Sequence, residues 1–101
     1  MASDPPLSYL GAALLSGASE LATYREIRAR LLDAEARADA SFRRYFEKTL
    51  RGEPTSGAAA SRLANEANYL SADLAGAELA LFAFEIDPRE VDKIDGVYVA
   101  S

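Results

Sequence analysis

The chain has 101 residues, with 16 acidic against 11 basic side chains, a net charge of −5, and neither cysteine nor histidine. That length allows one domain. It contains no disulfide, no thiolate, and neither the commonest metal ligand nor the commonest general base near neutral pH. The acidic balance argues against nucleic acid as a partner, because such binding needs a basic surface to neutralise phosphates.

At the N-terminus, Asp4-Pro5-Pro6 reads as a helix start, with an acid able to cap free N–H groups and proline tolerated in the first turn. Leu7, Leu10 and Leu14 recur at helical spacing, and Ser16-Gly17 marks the expected end. The longest uncharged stretch, Pro5 to Ser19, is about 15 residues long, short of the roughly 20 needed to span a bilayer. Asp4 also stands where a secretory leader would carry basic residues. The expectation is a protein with no membrane span, cytoplasmic or assembled into a larger particle such as a virion.

Ser19-Glu20 opens a second helix, serine as cap and an acid in the first turn, and neither Gly nor Pro interrupts it before Gly52. Tyr24, Ile27, Leu31, Ala34 and Ala38 follow a 3-4-3-4 spacing, and Phe42 and Tyr45 continue the stripe after a phase shift at Ser41. This is one buried seam. The opposite face is charged, with acid preceding base by four residues at Glu26–Arg30, Asp33–Arg37, Asp39–Arg43 and Glu47–Arg51. That orientation supports a long helix by about 0.3–0.5 kcal/mol per pair.

Arg51-Gly52-Glu53-Pro54-Thr55-Ser56-Gly57 breaks the pattern and is long enough to reverse the chain, with Ser56 placed to cap the next helix. This third helix is expected from Ala58 to Phe84. Its seam of Leu63, Ala67, Leu70, Leu74, Ala77, Leu81 and Phe84 keeps an unbroken heptad step. Two long helices joined by a short polar turn make an antiparallel hairpin. The third helix is apolar on a second side as well, at Ala72, Ala75, Gly76, Leu79 and Phe82, and a helix apolar on two sides must be covered on two sides.

The fold expected is therefore all-α: an antiparallel hairpin of two long helices with a short N-terminal helix and an extended C-terminal tail. The hairpin domain spans residues 1–84 and a C-terminal docking arm spans 85–101. In the arm, Asp87-Pro88-Arg89-Glu90 combines an acid cap with proline at the first helical position, which predicts a turn or two of helix to about Ile94, ended by Gly96. Val97-Tyr98-Val99 is β-prone. The tail either folds over the open end of the hairpin or reaches a neighbouring subunit.

No reactive constellation appears. Glu35, Asp39, Glu66, Asp73 and Glu78 invite comparison with di-iron bundles, but their Glu-x-x-His motif needs a histidine. Encapsulated ferritin-like cargo proteins are similar in size and two-helix form only. Arg25, Arg28, Arg43, Arg44 and Lys48 suggest the cationic pocket of chorismate-mutase-like enzymes, yet most have an acidic neighbour on the same face. In size, acidity and lack of cysteine the chain also resembles secreted WXG-type hairpins, with Arg51-Gly52-Glu53-Pro54 in place of their tryptophan-x-glycine turn. The six glycines are scattered, with no phosphate loop, and no cofactor or small-molecule ligand is implied.

The expected function is a non-enzymatic structural or assembly subunit, a virion component or an accessory subunit, that binds a protein partner or itself. The interface would comprise Ala72, Ala75, Gly76, Leu79 and Phe82 with Val97, Tyr98 and Val99. The alternative is a regulatory adaptor or antitoxin-like module engaging its partner through the charged second helix.

Overall fold

The computed structural model describes residues 16–97. The helix expected from Asp4 lies outside the described residues, as do Tyr98 and Val99. Among the described residues three helices succeed one another: α1, Ala18–Leu50; α2, Ala58–Phe82; and α3, Pro88–Asp95. The long α1 and α2 pack together as a hairpin. The architecture is all-helical among the described residues.

The 33 residues of α1 contain no glycine or proline, so nothing interrupts its hydrogen-bond ladder over about 50 Å. All three helices stop in the same way, on a residue with left-handed backbone that lets two carbonyls of the last turn be satisfied. After α1 that residue is Gly52 (φ 71°), with its N–H donating to Thr49 O (3.1 Å) and the Glu53 N–H donating to Lys48 O (2.9 Å). After α3 it is Gly96 (φ 67°), with Val97 N–H donating to Asp92 O (2.9 Å). After α2 it is Glu85 (φ 60°), a side chain in a conformation that favours glycine, with Ile86 N–H donating to Leu81 O (3.0 Å).

The helix starts differ from expectation in one place. Ser19 does not cap α1; the capping position is Gly17, with no side-chain hydrogen bond. Gly17 sits there for space, since a Cβ would lie 2.9 Å from Ile86 Cδ1 and 3.2 Å from Phe84 Cγ. The Ser56 hydroxyl accepts from Ala58 N–H at 3.2 Å. Asp87 caps α3 as predicted, accepting from Arg89 N–H at 2.9 Å, which holds its carboxyl below the usual range.

The core is concentrated at the end of the hairpin away from the α1–α2 turn, here called the base. Leu21, Tyr24, Leu31, Leu74, Ala77 and Leu81 interlock there with Ile86 and Val91 from the segment after α2. Ile27, Ala67, Leu70 and Phe84 pack against them, half-buried. Toward the turn, the tip, the buried positions hold only Ala34, Ala38, Ser41 and Ala60. Leu63 and Tyr45 are half-buried there.

Phe42, expected in the seam, lies at its margin and is 37% exposed. Ser41 takes the buried position instead. Where only alanine and serine separate the helices, a phenylalanine has no room between them, and its ring turns aside to stack on Phe46 at 6.5 Å. The ion pairs Glu26–Arg30 (2.7 Å), Asp33–Arg37 (3.1 Å) and Asp39–Arg43 (3.7 Å) form as spaced. Glu47–Arg51 does not, because Arg51 already lies past the last helical residue and turns to Glu53 (3.0 Å).

Candidate interaction surfaces

The most ordered polar chemistry in the molecule joins α3 to α1. Arg28 is 6% exposed, in the middle of the base. One guanidinium N–H donates to Asp92 Oδ1 at 2.7 Å and another to Asp95 Oδ2 at 2.5 Å. Arg25 adds two hydrogen bonds to the same Asp95, at 2.9 and 2.8 Å. The Tyr24 hydroxyl donates to Asp92 Oδ1 at 2.7 Å, and the Arg28 guanidinium stands 5.4 Å from the Tyr24 ring centroid.

Asp92 and Asp95 stand three residues apart and so on one face of α3, while Tyr24, Arg25 and Arg28 share one side of α1. The charges fix one another. Hydrogen bonds from Arg25, then Arg28, hold the Asp95 carboxyl below its ordinary value despite partial desolvation. Burial works against the Arg28 charge, but the bonds to Asp95 and Asp92 outweigh it and raise its pKa. Burial, reinforced by the bond to Asp92, pushes the Tyr24 phenol well above its usual range. No buried side-chain nitrogen or oxygen is left unpartnered among the described residues, and the cluster acts as a structural clasp that holds α3 to α1. The cationic set suggested by the sequence is thus divided. Arg25 and Arg28 are consumed by α3, while Arg43, Arg44 and Lys48 stand exposed near the tip.

Of the predicted seam, Tyr24, Leu31, Leu74 and Leu81 are buried, and Ile27, Tyr45, Leu63 and Leu70 are half-buried. Of the predicted interface, Ala72, Ala75 and Gly76 are exposed, as are Leu79 at 71% and Phe82 at 54%. Val97 is half-buried beside a groove of about 610 Å³ that runs between α3 and α2 and up to Leu31 and Glu35. The same side of the hairpin carries a second open groove, about 580 Å³, further toward the tip, walled by Glu35, Asp39 and Phe42 of α1 and Ala64 and Asn68 of α2. On the opposite side Arg37 links Asp33 and Glu66, at 3.1 and 3.8 Å, beside Tyr69, which is 75% exposed.

Sequence reasoning missed the clasp and three core members, Leu21, Ile86 and Val91. An Asp-x-x-Asp pair on a short helix was visible, but its partners lie more than sixty residues away. The five acids that invite the di-iron comparison do not gather, and among the described residues no three acidic side chains converge to hold a metal ion. No described helix is long and apolar enough to cross a membrane. No protein family, curated protein or solved structure matches the chain.

Proposed function

We propose that the protein is a structural or assembly subunit, without chemistry of its own, that works by presenting helix faces to other subunits of a particle or multi-protein complex. The observation that carries this reading is the second apolar side of α2. Leu79 (71% exposed) and Phe82 (54% exposed) stand beside Ala72, Ala75 and Gly76 with no helix of the hairpin over them. Burying a leucine and a phenylalanine of this kind is worth about 1.5–3 kcal/mol each, enough to drive association where packing is close. The polar groups agree with the reading, since the best-organised cluster, around Arg28, is spent on holding α3.

The test is absolute mass by light scattering over a hundredfold dilution. A mass above one chain that falls on Leu79→Glu, with helicity retained, is the expected result. A well-folded single chain throughout would overturn it and favour the adaptor reading, for which Arg44 and Lys48 are the relevant groups. Neither makes an ion pair among the described residues. Charge reversal at those two positions would then abolish partner binding and leave the mass unchanged.

A further inference from the structure

We infer that two copies of the chain pair face to face and antiparallel through the tip halves of their hairpins, around a two-fold axis at Asp39. The inference rests on the assembly reading and supplies it with a building block; it uses a different surface from the outer side of α2.

The argument begins with the uncovered apolar surface of α1. Phe42, Phe46 and Leu50 are 37%, 59% and 87% exposed, the largest apolar surface on that helix. The core offers them nothing, since the buried residues of the tip are alanines and a serine. Phe42 and Phe46 stack on each other, with Tyr45 edge-on to Phe46 at 5.7 Å, so they form one preassembled patch.

Phe42 lines the tip groove, whose other α1 wall includes Leu32, Glu35 and Asp39. Leu32, Glu35, Asp39, Phe42 and Phe46 repeat at 3-4-3-4 spacing, a second stripe on α1 beside the first seam. The base half of this face is not free, because α3 is clasped onto it through Arg25 and Arg28. In an antiparallel pair turned about Asp39 the partner's Leu50 comes level with Arg28, so the partner's turn abuts α3, which acts as an end stop.

The charges then fix the occupant. Along the stripe, Asp39 is the centre of a sequence symmetry. Phe42 and Phe46 follow it by three and seven residues; Ala36 and Leu32 precede it by three and seven. Arg43 follows by four and Glu35 precedes by four. An antiparallel copy turned about Asp39 lays its two phenylalanines over Ala36 and Leu32 and sets its Arg43 against Glu35.

Glu35 makes no ion pair among the described residues, and Arg43 is held only loosely, 3.7 Å from Asp39 and 79% exposed. The two Asp39 carboxylates that meet at the axis are flanked by two Arg43 guanidiniums. The same surface on both copies is self-complementary, so the pair closes at two chains.

Two variants isolate the idea. Arg43→Glu makes this face wholly acidic, and Glu35→Lys with Asp39→Lys makes it wholly basic. Each alone is expected to weaken pairing at least tenfold by light scattering, while an equimolar mixture regains a one-to-one dimer. Since the chain has no cysteine, Asp39→Cys provides a second readout. Mild oxidation is expected to trap a covalent dimer, while Asp33→Cys on the opposite side stays uncrosslinked. A mixture that stays monomeric, or equal crosslinking at both positions, would overturn the pairing. If a larger mass sensitive to Leu79→Glu persists in the charge variants, the assembly reading stands and this interface falls. If the mass stops at two chains, is indifferent to Leu79→Glu and is lost with Arg43→Glu, the pairing stands and assembly through α2 falls.

Discussion

At the scale of single residues, Arg28 organises the base. Its side chain is 8% exposed, and the carboxylates it binds, on Asp92 and Asp95, are 18% and 17% exposed. A half-dry ion cluster of this kind contributes less through net Coulomb energy than through the cost of leaving any member unpaired. Asp95 is the member with a pH signature. Because its folded pKa is depressed, its stabilisation is fully present above the unfolded carboxylate value of about 3.9 and is lost as pH falls through the folded one. Asp95→Asn is therefore expected to cost about 2 kcal/mol at pH 7. That deficit should shrink on acidification below about pH 4. Urea unfolding of both proteins at pH 7 and pH 3 measures it, and an unchanged difference at the two pH values would assign the loss to something other than the charge.

At the scale of elements, three helices share one way of stopping, and the one without glycine is the informative case. Glu85 holds the left-handed position between α2 and α3 with φ 60°. The turn around it places Leu81, Ile86 and Val91 in one cluster. The conformation is kept because it aims the chain beyond it back over the core. Glu85→Gly is expected to stabilise the protein by about 1 kcal/mol, since glycine accepts this backbone without a Cβ penalty. A rise in denaturation midpoint with an unchanged urea dependence checks it. The eight residues of α3 are too few to be helical in isolation. The caps at Asp87 and Gly96, the buried Val91 and the Arg28 clasp together keep α3 folded.

At the scale of the whole molecule, stability is uneven. The large buried side chains Tyr24, Leu81, Ile86 and Val91 all belong to the base, and the tip relies on small residues and exposed aromatics. A hairpin so built opens from the turn. In dilute protein the amides of Tyr45–Leu50 and Ala60–Ala64 are expected to exchange about tenfold or more faster than those of Ile27–Leu31 and Leu74–Leu81. Uniform protection along both helices would contradict the polarised core. If tip protection rises with protein concentration, the extra burial comes from a second copy.

Much of this was legible in the sequence, because it depends on interactions within a few residues. The length of α1 follows from the absence of Gly and Pro between Gly17 and Gly52. The heptad of α2 and the cap signals of α3 follow from spacing, and three of the four predicted i, i+4 ion pairs form. Hairpin geometry follows from two long amphipathic segments and a polar turn. The features that stayed hidden required knowing which distant side chains meet. Ser41 rather than Phe42 enters the seam because helix separation is set by packing along the whole interface. Glu85 ends α2 without glycine because the buried Ile86 on its far side compensates a local strain. The partners of Asp92 and Asp95 lie at Arg25 and Arg28, a pairing that no local periodicity encodes. The sequence by itself determined which segments are helical and which faces are apolar, since period and capping are local. Only the tertiary structure decided that α3 covers one half of one face and leaves the other half open, since that depends on where the chain, turning back at Glu85, finds counter-charges for a buried arginine.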